Sequence, residues 1–243
     1  MAEFKLPTET VELPSKGLLY PEDSPLASGT VEMKYMTAKE EDILTNQNFI
    51  NNGTVIDKLL QSLIITPNVD FSSLLIGDKN AIMIAARILS YGKDYEFVYG
   101  NEKVNVDLSL LGNKDVDYSL FVDRKNDFEV TLPYSGNTVT IKLLTHLDES
   151  NIDKEIEGLK KIDKQSSSES TTRLKHMITS INGSREQKDI RQFVDQALLA
   201  RDARAIRDFY KTINPDVLIQ FYPDGGEEAK DIPIGINFFW PDF

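Results

Sequence analysis

The chain carries two histidines, His146 and His176, and no cysteine. His146 precedes Asp148 and Glu149, and an imidazole with two nearby carboxylates can hold a divalent cation. The same three residues also suit a solvated helix start. His176 lies in a polar stretch and has the same two readings. Thirty-nine carboxylates permit many acid–base pairs, but none sits in the apolar, Gly-bounded context that raises a pKa. Glu22-Asp23 lies between Pro21 and Pro25 and lacks the alternating ligands of a calcium loop. Gly225-Gly226 is followed by Glu227-Glu228, where a phosphate loop needs Lys-Ser/Thr. Ser184 follows Asn182-Gly183, with a capping role and no base beside it in sequence. The expectation is a protein that is not an enzyme and uses no cofactor and no metal.

Two other features can bind rather than react. Arg201, Arg204, Arg207 and Lys211 recur at spacings of three and four and so share one helix face. That face either docks an acidic partner or is simply solvated, with Arg204 and Asp208 paired at i, i+4. Aromatic and apolar residues concentrate in Leu13 to Pro21 (LPSKGLLYP) and in the terminal GINFFWPDF. Strand alternation would put Phe239 on the face opposite Phe238 and Trp240, so that terminus is either deeply buried or a docking element. The candidate partner-binding residues are Leu13, Pro14, Leu18, Leu19, Tyr20, Pro21, Arg201, Arg204, Arg207, Lys211, Phe238, Phe239 and Trp240.

The elements that position these residues follow from composition and periodicity. The 243 residues carry a formal charge of −12, which repels phosphate and argues against a nucleic-acid partner. Disulfides and thiolate metal sites are excluded by the absence of cysteine. MAEFKLPTETVELPS has no basic start followed by an apolar run, so no signal peptide is expected. Ala81 to Leu89 is the longest dense apolar run, too short to span a bilayer and interrupted by Arg87, so no membrane is expected either.

Pro7, Pro14, Pro21 and Pro25 make the first 36 residues an extended arm with short strands, one of them at Val31 to Tyr35. Helices are predicted from Ala38 to about Gln47, over Val55 to Ile64, and from an Asp78 cap to Ser90, the last apolar nearly all round and hence buried. The period then becomes two. Tyr95, Phe97 and Tyr99 face Val104, Val106 and Leu108 across a Gly100-Asn101-Glu102 turn. Phe128, Val130 and Leu132 face Val139, Ile141 and Leu143 across Ser135-Gly136-Asn137. Thr145 to Asp148 has cap spacing for a polar helix to about Asp163. Gln165 to Thr172 reads as a low-complexity linker, and Arg173 to Ile181 as a short helix. Ser184 to Gln187 reads as a capping box before an amphipathic helix with Ile190, Phe193, Val194, Ala197 and Leu198 on one face. A further helix from Arg201 presents Ile206, Phe209, Tyr210 and Ile213, and Asn214-Pro215 ends it. Val217 to Phe221 and Ile232 to Trp240 alternate as a terminal hairpin around Asp224 to Asp231. The fold class is α+β: an extended N-terminal arm, a small helical core, β-hairpins, C-terminal helices and a terminal β-hairpin. The sections are residues 1–92, 93–145 and 146–243.

Several blocks together resemble a known family. LPSKGLLYP, then MKYMTAKEEDIL (Met33 to Leu44), VIDKLLQSLI (Val55 to Ile64), LLIGDKNAIMIAARILSYG (Leu74 to Gly92), a strand pair and an FFWP ending at Phe238 to Pro241 resemble, in order, the T4-type baseplate proteins of bacteriophages. The resemblance implies a baseplate hub assembly protein, a tail assembly chaperone that binds other hub or tail proteins while a contractile tail is built. That places it in the host cytoplasm during assembly. A structural subunit retained in the virion baseplate is the alternative, and either role is compatible with an oligomer. A metal-assisted hydrolase using His146 is the enzymatic alternative. The resemblance also implies a small zinc knuckle in several relatives, in the turn near Tyr95 to Leu108. Here that segment reads YEFVYGNEKVNVDLSLL, so a plain hairpin has to hold the shape.

Overall fold

The computed structural model describes residues 6–162, 168–223, 226 and 228–239. The arm is a folded loop between two paired strands. β1 (Thr8–Glu12) runs antiparallel to β2 (Thr30–Lys34), with Thr8 opposite Lys34 and Glu12 opposite Thr30. Alternation in β2 buries Val31 and Met33 and exposes Glu32. The loop closes on itself where Gly17 (φ +71°) meets the backbone of Leu26 to Gly29. A Cβ on Gly17 would lie 2.6 Å from the Ala27 carbonyl oxygen, so only glycine fits this approach.

The single helix expected over Ala38 to Gln47 is two. α1 (Ala38–Leu44) stops, and α2 (Gln47–Asn51) restarts because the Asn46 side chain accepts from the backbone N–H groups of Asn48 and Phe49. An Asn that caps locally competes with helix continuation. α3 (Val55–Leu63) buries Val55, Leu59, Leu60 and Leu63, the i, i+4, i+8 pattern of an amphipathic helix. α4 (Ile76–Tyr91) begins two residues before the expected Asp78 cap. Leu75 is the N-cap, and Asp78 lies in the first turn, completely buried. Ile82, Met83, Ile84 and Ala86 are buried with it, as the nearly all-round apolar pattern requires.

β3 (Asp94–Tyr99) and β4 (Glu102–Asp107) form the first hairpin. Its turn is the pair Gly100-Asn101, and Glu102 is already in the ladder opposite Tyr99. β5 (Phe128–Thr131) and β6 (Thr138–Ile141) form the second. α5 (His146–Ile162) starts as expected, with Thr145 N–H and Oγ1 both donating to Asp148. α6 (Glu169–Met177) takes up the last residues of the expected linker, Glu169 to Thr172; Gln165 to Ser167 lie outside the described residues. The expected helix to Ile181 ends at Met177. Ile178 to Ile181 form β7 and pair with β6, giving the order β5-β6-β7. β-branched Ile178, Thr179 and Ile181 suit a strand, and β6 offers an edge to pair with.

α7 (Gln187–Gln196) is not started by a Ser184 capping box. Its N-cap is Glu186, and the Ser184 hydroxyl instead donates to Asp189 at 2.6 Å. α8 (Ala200–Ile213) buries Ala203, Ile206 and Ile213. The terminal hairpin is far shorter than the alternation predicts. β8 (Gln220–Phe221) and β9 (Lys230–Asp231) pair over two residues. Upstream, the chain pairs elsewhere: Leu218 N–H donates to the Gly112 carbonyl and Lys114 N–H to the Asp216 carbonyl. Downstream, Ile236–Phe238 is a 3-10 turn. Successive residues of a turn can share a side that a strand would divide, and both Phe238 and Phe239 are fully buried. Their rings pack edge-to-face at 5.2 Å, with Tyr95 against Phe238 at 4.9 Å.

Apolar residues from the arm, the hairpins and the C-terminal helices join one buried cluster. Polar ties between helices reinforce it. The Glu155 carboxylate of α5 receives two bonds from Arg191 of α7 (2.6 and 2.7 Å) and lies 3.0 Å from His176 of α6. The Arg191 guanidinium, foremost, holds Glu155 down to about 2. A carboxyl depressed in the folded state adds stability above its ordinary titration range, and that stability is lost as pH falls through the folded value. The difference in melting temperature between wild type and Glu155→Gln is therefore expected near pH ~6 and should vanish as pH approaches ~2. A constant difference would show that the ion pairs do not contribute. A tighter constraint lies at Gly77, where a Cβ would fall 1.8 Å from the Pro215 carbonyl oxygen. Gly77→Ala is expected to destabilise by about 3 kcal/mol, read by urea denaturation, as overpacking against backbone does.

Candidate functional site

The segment Leu13 to Pro21 meets α4 through one carboxylate. Asp78 Oδ1 accepts from Ser15 N–H at 2.9 Å, and Oδ2 accepts from the Ser15 hydroxyl and the Tyr20 hydroxyl, both at 2.6 Å. The Tyr20 oxygen in turn accepts from Leu75 N–H at 2.9 Å, at the start of α4. Ser15 and Asp78 are fully buried and Tyr20 nearly so. Burial pushes the Asp78 carboxyl up, and the Ser15 and Tyr20 bonds act against it. Burial, and then the Asp78 charge, push the Tyr20 phenol up as well. Outside this set, Tyr118 donates to the Pro14 carbonyl at 2.9 Å, Arg124 to the Gly17 carbonyl at 2.9 Å, and Lys16 sits 3.7 Å over the Tyr118 ring.

Of the candidate docking residues in the arm, Leu13, Pro14, Leu19 and Tyr20 are therefore interior, Leu18 is half-buried and Pro21 is exposed. Phe238 and Phe239 are interior too. In this conformation the buried residues build the chain's own core and present no surface to a partner. Trp240 lies outside the described residues.

Arg201, Arg204, Arg207 and Lys211 are all exposed along the outer side of α8. Arg204 and Lys211 lie 3.5 and 3.8 Å from Asp208. Arg207 reaches the Ser170 hydroxyl at 3.5 Å, and Arg201 lies 5.2 Å over the Tyr134 ring. Beneath this face, buried Asp202 accepts from the backbone N–H groups of Tyr134 (2.9 Å) and Ser135 (3.0 Å), fixing the β5–β6 loop to α8.

His146 faces a cleft lined by Asp57, Lys79, Glu149, Asp153 and Lys154 among others. Its Nε2 is 3.4 Å from Asp57 and its Nδ1 is 3.2 Å from the Lys79 ammonium. Burial, and then Lys79, lower its pKa, favouring the neutral ring. An ammonium at that distance opposes a cation on the same nitrogen. Among the described residues no three His, Cys, Asp or Glu side chains are grouped to share a metal ion. His176 is held by Glu155, as described above.

The model of one family, described as the T4 bacteriophage base plate protein, matches residues 7–221. This chain belongs to that family. The match runs from the first arm strand to β8 and so covers the Ser15–Tyr20–Asp78 set, the β3–β4 and β5–β6 hairpins and α8. No curated protein and no solved structure matches the chain. The LPSKGLLYP block that resembles the family is thus an internal latch in this member, closed on Asp78. The hairpin of β3 and β4 has no cysteine to offer zinc and does not fit a thiolate site. Its six-residue ladder, the Tyr95–Phe97 ring stack and the Lys93–Asp107 ion pair at its open end hold it instead. Among the described residues no helix is long and apolar enough to cross a membrane.

The sequence pattern puts Asp78 at a helix cap and does not single out Asp202 or Tyr134. A carboxylate on a helix that is apolar nearly all round is the available signal for Asp78, because such a group must find donors from another segment. Tyr134 gives no local sign, since only the docking of its loop on Asp202 brings it to α8. Asp78→Ala strands three buried donors. It is expected to destabilise by about 3–5 kcal/mol in urea denaturation, with accelerated amide exchange over residues 13–29. Tyr20→Phe, which removes the donor to Asp78 and the acceptor for Leu75, should cost about 1–3 kcal/mol.

Proposed function

We propose that this chain is a baseplate hub assembly protein, a tail assembly chaperone that binds hub subunits in the host cytoplasm during contractile-tail morphogenesis, and that it is not an enzyme. The observation that carries the reading is the family match across residues 7–221. The fate of the titratable side chains supports it. His146, His176, Asp78 and Asp202 are each engaged by the fold itself. The Ser15 hydroxyl, which meets the Asp78 carboxylate, is fully buried with it and out of reach of a substrate. Net charge of −12 keeps such a factor soluble and disfavours non-specific nucleic-acid binding.

A baseplate subunit retained in the virion is the second reading, because the family description, a base plate protein, suits a component as well as a builder. A metal-assisted hydrolase at His146 is disfavoured by the Lys79 ammonium on its ring.

Affinity capture of the tagged chain from infected cells, with mass spectrometry of the eluate and of washed virions, separates these. Hub or tail proteins in the eluate with the bait absent from virions is the expected outcome. Bait at stoichiometric level in virions would make it a retained subunit. An eluate without any tail protein would overturn both.

A further inference from the structure

We infer that the outer face of α8, together with Tyr134, is a docking surface for an acidic segment of a partner protein. The inference deepens the hub-assembly reading and rests on it for the partner's biological setting. Two kinds of cation are present in the C-terminal half. Arg173 and Arg191 are consumed by the fold, each forked onto one carboxylate, Glu149 and Glu155 respectively. The α8 cations are arranged differently. Four of them share an arc opposite the buried side formed by Ala203, Ile206 and Ile213. They meet one carboxylate, Asp208, in two loose pairs, with the Arg204 and Lys211 side chains 80% and 74% exposed. Four cations against one carboxylate leave the face net positive, and exposed pairs of this kind contribute little to folding.

Tyr134 makes this face more than a run of charge. The residue is 57% exposed, yet its backbone is pinned by the buried Asp202 carboxylate and Arg201 lies over its ring. A tyrosine on an anchored backbone beside a guanidinium group is a combination that carries binding energy at interfaces, because less backbone freedom is lost on contact. Guanidinium forks also match carboxylates.

Charge complementarity selects the occupant. The face is a positive island on a chain of net charge −12. An acidic segment is repelled by the rest of the surface and attracted here, which fixes its position. Arg201 to Lys211 spans about 15 Å of helix, so the island accommodates roughly three helical turns or five extended residues. A long polyanion would have to continue over the rest of a net-acidic chain. A short carboxylate-rich protein segment would not.

Fluorescence anisotropy with a labelled helical peptide carrying glutamates at i, i+3 and i+4 tests the surface directly, with a lysine counterpart and a single-stranded oligonucleotide as comparators. Wild type is expected to bind the glutamate peptide, and Arg204→Glu/Arg207→Glu, with an unchanged melting temperature, to bind it at least about tenfold more weakly. Tyr134→Ala should also weaken binding. Equal affinity of wild type and the reversed variant, absence of peptide binding, or tighter oligonucleotide binding would each overturn the proposal. Capture from infected cells then separates this surface from the broader reading. Identified tail proteins retained by wild type but lost by the reversed variant support the surface. Their retention by both overturns the surface and leaves the hub-assembly reading standing. Their absence with wild type overturns the hub-assembly reading, while the peptide result still decides the surface.

Discussion

The buried carboxylate of Asp78 is the point on which the N-terminal arm closes. It has no cation among its hydrogen-bond partners and is stabilised by three donors from the arm, one backbone N–H and two hydroxyls. Such a group is costly inside a protein unless every acceptor site is answered, so its presence fixes the arm in one register. The residues around it are used as closely. Gly77 meets the Pro215 carbonyl, Asn80 donates to Asp216, Ile76 N–H donates to the Leu144 carbonyl, and His146 N–H to the Leu74 carbonyl. Within residues 74–80, the first turn of α4 receives the arm, the start of α5 and the segment after α8.

Asp202 repeats this device on a smaller scale. It too is a buried carboxylate in the first turn of a helix, answered by N–H groups from another segment. One consequence is structural, since the β5–β6–β7 sheet is attached to α8. The other concerns the surface. The same attachment sets Tyr134 under Arg201 and gives the outer side of α8 an aromatic edge on an anchored backbone. The interior aromatic clusters, by contrast, are self-contained. Phe238 and Phe239 close over Tyr95, and the arm's Leu13, Leu19 and Tyr20 lie beneath its own loop.

Membership in the base plate family gives this architecture its context. Under the proposed hub-assembly role, what matters is a folded body with a selective surface. The proposed division of labour follows from where charge is spent: Asp78, Asp202, Glu155 and the histidines are bound inside the fold, whereas the α8 cations stay on an exposed face and meet one carboxylate, Asp208, loosely. An arm latched to the core, not free, leaves α8 as the better-supported route to a partner.

Local patterns determined much of the fold. The change of period from 3.6 to two after Gly92, the cap of α1 at Thr37, whose N–H and hydroxyl donate to Glu40, the cap of α5 at Thr145, and the apolar repeat of α3 each act through neighbours a few residues away, and each element lies close to where its pattern puts it. The basic spacing of α8 belongs to the same class. What tertiary structure decided involves partners far apart in the chain. Ile178 to Ile181 became a strand because β6 had an open edge. The terminal alternation did not become a long hairpin because Asp216 to Leu218 pair with residues 112–114. Phe239 turned inward because its backbone follows a 3-10 turn. The LPSKGLLYP block could be recognised in the sequence, but its role as a latch could not be, because the carboxylate that closes it lies 63 residues from Ser15 and only folding brings the two together.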